Sequence, residues 1–136
     1  MKPGPKPRQK DAAPASAPVK KIPRTPPAML TGHASAEWRR IVPLLGDRVN
    51  QLDHAVLVAY CLVFARFVEA EAEIAESGLF VVTPNGYRGQ APAVPISGKA
   101  LGLVHKLARE LGLTPDARSK LPAAPEQDAD ADFFGS

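Results

Sequence analysis

Cysteine is nearly absent from this chain of 136 residues. The one thiol, Cys61, excludes an intramolecular disulfide framework and suits a reducing compartment. Histidine occurs at His33, His54 and His105 only. None has a second His or Cys at ligand spacing, so no metal is expected. A phosphate-cradling loop is missing too. Gly98-Lys99 is like the end of a P-loop, but Ala93 stands where that motif needs Gly and Ala100 where it needs Ser or Thr. Nucleotide hydrolysis is therefore not expected. The longest nearly uncharged apolar stretch, Ala55–Val68, falls short of the ~18 residues of a membrane span. Met1 is followed by Lys-Pro-Gly-Pro rather than an apolar run, so no secretory signal is expected. The acidic residues form no pair with a cleft context. No catalytic residue is assigned, no cofactor is implied, and the chain is read as a non-enzyme.

What is present is charge asymmetry. Met1–Pro27 carries Lys2, Lys6, Arg8, Lys10, Lys20, Lys21 and Arg24 against Asp11, a net of +6, and eight of the fifteen prolines. Such a segment has too little apolar bulk to offset chain entropy and reads as a disordered basic arm. It serves either to contact phosphates, where each cation releases condensed counterions, or as a solubilising linker. Pro122–Ser136 holds Glu126, Asp128, Asp130 and Asp132 and no base, and reads as a disordered acidic tail. Its Phe133 and Phe134 are the pattern of a partner-docking motif, with aromatic anchors on a steering acidic background. Residues 28–121 remain as a single core domain.

Within the core, Trp38, Ile41, Val42 and Leu45 fall on one face of a helix over about Ser35–Leu45. Arg39 and Arg40 lie off that face, and Pro43 threatens to shorten or kink the helix. They are either a solvated face or a continuation of the basic arm. A long second helix is predicted over Asp53–Ser77, with Asp53 as its N-cap and Gly78 as its stop. Its first half, AVLVAYCLVFARFV, is apolar all round and must be covered all round. One face is therefore expected to meet the chain's own helices and another a second subunit. Leu79–Thr83, the turn Pro84-Asn85-Gly86 and a returning strand from Tyr87 form a hairpin. A third helix over Val94–Leu111 has an apolar seam of Ile96, Ala100, Leu103, Leu107 and Leu111, broadened by Val104 and Ala108, with Lys99, Lys106 and Arg109 away from it. Thr114-Pro115-Asp116 starts a last short helix to about Leu121. The fold class is mainly α: a helical core with one short β-hairpin between the long second helix and the third.

Five segments in this order resemble the P27-type phage terminase small subunits: MKPGPKP, HASAEWRRIVPLL, LDHAVLVAYCLVFARFVEAEAEI, GLFVVTPNGYRGQAPAVPISGKAL and RELGLTPDARSKL. The likeness spans about Met1–Leu121. SGKA, with Gly98 and Gly102, departs from the more polar helix start expected there. The resemblance implies a helical, non-catalytic subunit that assembles as a homo-oligomeric ring and binds double-stranded viral DNA near the packaging start. It also implies recruitment of a large subunit that holds the ATPase and nuclease, in the host cytoplasm and not at a membrane. On that reading Lys2, Lys6, Arg8, Lys10, Lys20, Lys21, Arg24, Arg39 and Arg40 contact DNA, and Phe133 and Phe134 engage the large subunit. Two other readings fit the residues: a helix-turn-helix-like DNA-binding regulator, and a virion adaptor that docks partners through its tails.

Overall fold

A computed structural model of the chain describes residues 3–4 and 19–120. In chain order it forms α1 (Gly32–Leu45), two single 3-10 turns (Gly46–Arg48 and Gln51–Asp53), α2 (His54–Ser77), β1 (Phe80–Val82), β2 (Arg88–Gln90), α3 (Ala93–Glu110) and α4 (Pro115–Ser119). This is the mainly helical fold with one hairpin that the sequence predicts.

The α1 face forms as its spacing requires. Ala34, Glu37, Trp38, Ile41, Val42 and Leu45 are all buried. Pro43 neither shortens nor breaks the helix: it sits in the last turn, and the helix runs on to Leu45 before Gly46, at φ 53°, ends it. Trp38 is fully buried, and its indole N–H donates to the Pro23 carbonyl at 3.1 Å. That bond ties the incoming chain to the core. Lys21 bridges to Asn50, Gln51 N–H donates to Lys20 O at 3.0 Å, and Ile22 is buried. The segment expected to be arm as far as Pro27 is thus already held to the core from Lys20, because Ile22 supplies an apolar anchor that the Pro-rich composition concealed.

α2 begins one residue later than predicted, and Asp53 does not cap it. The Asp53 carboxylate instead accepts from Asn50 N–H at 3.0 Å, while Asn50 Oδ1 accepts from Leu52 N–H at 2.8 Å. This reciprocal pair closes the 3-10 turn that leads into the helix. Leu57, Val58, Tyr60, Cys61 and Ala65 join the α1 residues and Leu111 in one core, with Val56, Leu62, Phe64, Val104, Leu107 and Leu113 packed against it. α1 covers one side of α2 and α3 the other. No large apolar side chain of α2 is among the exposed ones of the described residues. The chain's own helices cover part of the apolar girth of α2 and leave Val56, Leu62, Phe64, Phe67, Val68 and Ile74 half-buried.

Beyond Ala65 only Ala70 of α2 is buried. Glu69, Glu71, Glu73 and Glu76 are exposed, and Ser97 of α3 donates to Glu71 Oε1. The seam of α3 is turned relative to expectation. Ser97, Ala100 and Leu111 are buried, with Val104, Leu107 and Ala108 half-buried, whereas Ile96 and Leu103 are exposed. The helix follows the stripe that includes Ser97 because this polar residue finds Glu71 across the interface. Gly98 and Gly102 lie on the outer side, where an added Cβ would meet nothing within 4 Å.

The hairpin pairs Phe80 with Gln90, Val81 with Gly89 and Val82 with Arg88. Thr83 N–H donates to Tyr87 O at 2.8 Å and Gly86 N–H to Thr83 O at 2.9 Å. Gly86 takes φ 82°, so this is a three-residue loop closed by a left-handed glycine. α3 ends in a Schellman motif. Leu113 N–H donates to Ala108 O and Gly112 N–H to Arg109 O, with Gly112 at φ 73°. Thr114 Oγ1 then caps α4 by accepting from Ala117 N–H at 3.2 Å.

Candidate nucleic-acid interface

α1 presents Arg39 and Arg40 on its exposed side, as its periodicity requires. Arg39 donates to Ser35 Oγ one turn back at 2.6 Å. Arg40 is held harder. Its Nε and Nη2 donate to the two carboxylate oxygens of Glu37 at 2.6 and 2.8 Å, a bidentate fork. Glu37 is buried on the core face of α1 and also accepts from the Tyr60 hydroxyl at 2.6 Å. A carboxylate inside the apolar stripe thereby fixes one cation at the surface.

Burial, and then the bond to Glu37, push the Tyr60 phenol well above its ordinary range. Burial, and then the charge of Glu37, push the Cys61 thiol up to about 12. Cys61 is completely buried. At neutral pH it is a protonated core residue, not a nucleophile. Among the described residues no group of three His, Cys, Asp or Glu could hold a metal ion.

Lys20, Lys21 and Arg24 are exposed on the segment tied to α1 and to the 3-10 turns. Lys21 pairs with Asp47 at 3.0 Å, which brings the root of the arm next to Arg48. Lys2, Lys6, Arg8 and Lys10 lie outside the described residues, as do Phe133 and Phe134.

The fold adds two cations that sequence reasoning missed. Arg48 follows α1 and Arg118 lies on α4, yet both join Arg40 around one concavity of about 330 Å³ with Ile41, Leu44, Leu45, Tyr60 and Leu113 in its wall. The Gly112 turn brings α4 beside α1, and no local pattern reports that distance. Glu37 was more legible: a charged residue stands within the buried stripe of α1, with an Arg three positions on. A second concavity, of about 480 Å³, collects His105, Lys106, Arg109 and Lys120. Its charge is partly spent internally, since Asp116 pairs with Arg109 at 3.7 Å and with Lys120 at 3.3 Å. Lys99 is exposed farther up α3.

A second feature is apolar. Leu79, Phe80, Val81, Val82 and Tyr87 of the hairpin are 39–69% exposed. Arg88 stacks over the Phe80 ring at 4.3 Å. Ile96, Leu101 and Leu103 of α3 are exposed as well. No described helix is long and apolar enough to cross a membrane.

Compared with known proteins, residues 34–128 match the family model described as phage terminase, small subunit. The match starts after the basic arm and runs past α4 into the acidic tail, short of Phe133. Neither a curated protein nor a solved structure gives a match. With well over half its length covered, the chain belongs to the phage terminase small-subunit family.

Proposed function

We propose that this chain is the DNA-recognition subunit of a packaging terminase. It binds double-stranded viral DNA, recruits and regulates the large ATPase–nuclease subunit, and has no catalysis of its own. Family membership carries this reading, and the distribution of charge supports it. Residues 1–18 add a net +3 to a core end where Lys20, Lys21, Arg24, Arg39, Arg40 and Arg48 stand exposed. Cations spread over a Pro-rich segment and a helix suit phosphate contact without base readout.

The hairpin is the proposed subunit contact. An isolated two-stranded hairpin is marginal in water, and this one exposes the apolar side chains of β1, of Leu79 before it and of Tyr87 after the turn. Adjacent copies meeting through it would bury that surface and build the homo-oligomeric ring. Phe133 and Phe134 are the proposed handle for the large subunit, and the host cytoplasm is the proposed site of action.

Duplex-DNA binding as a function of salt tests the assignment. Deletion should stop at Pro18, since Ile22 is buried in the core and the Pro23 carbonyl accepts from Trp38. Removing residues 1–18 takes away Lys2, Lys6, Arg8 and Lys10. It is expected to weaken binding and to flatten the log–log salt slope by up to roughly 3 to 4. Unchanged affinity and slope would show that the arm does not touch DNA.

A further inference from the structure

The concavity between α1 and α4 has a chemistry that a phosphate leaves half unused. Arg40, Arg48 and Arg118 line it together with Leu44, Leu45 and Leu113. Leu44 is 71% exposed, so part of the apolar lining faces outward. Arg40 is committed to Glu37, but among the described residues Arg48 and Arg118 form no ion pair. A phosphate gains from the cations and nothing from the leucines. An acidic peptide with aromatic anchors gains from both.

The chain carries a segment of that composition. Residues 128–134 read DADADFF, with three carboxylates ahead of two phenyl rings. It also starts from the right place, because α4 supplies Arg118 and ends at Ser119. Phe133 lies 13 residues beyond Lys120, a reach of up to ~43 Å at about 3.3 Å per residue. α1, by comparison, is only ~21 Å long at 1.5 Å per residue. The tail can therefore turn back onto the concavity with chain to spare.

We propose that the acidic tail docks into this concavity of its own core. Phe133 and Phe134 cover the leucines, and the carboxylates of Asp130 and Asp132 engage Arg48 and Arg118. The docked tail withholds the three arginines from phosphates and the two phenylalanines from a partner. That consequence rests on the function proposed above; the contact itself does not.

Disulfide trapping in the full chain tests the contact. Asp47→Cys places a thiol beside Arg48 on a side chain that is 65% exposed, and Gly135→Cys places the other next to the intact Phe pair. Cys61 stays out of the reaction, buried and protonated. A control pairs Gly135→Cys with Leu101→Cys, which is 52% exposed on α3. The expected result is an intrachain disulfide that forms on the order of tenfold faster than in the control. Its rate should not depend on protein concentration, and should fall toward the control with Arg48→Glu plus Arg118→Glu or in 1 M salt (Debye length ~3 Å). Equal rates for the two pairs, or a rate indifferent to charge reversal, overturn the proposal. An interchain disulfide overturns it too, by seating the tail on a neighbouring copy. Neither DNA nor a large subunit is present, so failure here leaves the packaging assignment standing, and failure of that assignment leaves this result standing.

Discussion

Replacing Glu37 with Ala removes the acceptor that links α1 to α2. The Tyr60 hydroxyl, on a residue only 4% exposed, loses its 2.6 Å partner and is left buried without one, which costs ~1–3 kcal/mol. Arg40 loses both bonds, but its side chain is 59% exposed and water replaces Glu37, so this part adds under ~1 kcal/mol. The total expected loss is about 1–4 kcal/mol. Glu37→Gln keeps an oxygen for the Tyr60 hydroxyl and should lose less, about 1–2 kcal/mol. Tyr60→Phe removes the stranded group itself, so Glu37→Ala in that background should cost about 1–2 kcal/mol less than in the parent. Urea unfolding followed by the fluorescence of Trp38, the lone tryptophan, measures all four proteins. Protein concentration is held fixed because assembly stabilises by mass action. If Glu37→Ala unfolds within ~0.5 kcal/mol of the parent, or costs the same in both backgrounds, the carboxylate is not the joint described.

Alkaline pH should weaken the same region. The folded state raises both the Tyr60 phenol and the Cys61 thiol, the thiol from 9.0 to about 12. Their contribution is therefore complete below the unfolded values and is lost as pH rises through the window up to the folded ones, by up to ~1.4 kcal/mol per pH unit for each ionising group. Urea midpoints between pH 8 and 11 should fall, and Tyr60→Phe with Cys61→Ala should flatten the decline; an equal decline in the double variant refutes the assignment. At the hairpin, Val82→Asp with Tyr87→Ser alters two side chains that are 69% and 68% exposed. Far-UV circular dichroism should stay unchanged while the mass seen by light scattering falls; a mass equal to the parent's removes the hairpin from the subunit contact.

Local patterns were legible in proportion to how local their causes are. The α1 stripe, the Gly78 stop of α2, the Asn85-Gly86 turn and the Thr114 cap each depend on a few neighbouring residues, and each forms as the sequence indicates. Two readings failed, one to a neighbour three residues back and one to a distant partner. Asp53 turns back to Asn50 instead of capping α2. The α3 seam shifts to admit Ser97, whose partner Glu71 lies 26 residues away. The apolar girth of α2 is met only in part within the chain by α1 and α3, which leave Phe67, Val68 and Ile74 half-buried. The candidate site divides the same way. Arg39 and Arg40 follow from helical period alone, whereas the meeting of Arg40, Arg48 and Arg118 depends on how α4 folds back.

On the proposed function this chain serves a packaging motor by recognising DNA and recruiting the large subunit. The most direct measurement is co-expression with the cognate large subunit, affinity capture, and assay of ATP hydrolysis with duplex DNA. Co-purification and an ATPase rate raised by this chain are expected, with both lost when Pro122–Ser136 is removed. A large subunit that neither co-purifies nor changes its rate would contradict the proposed function.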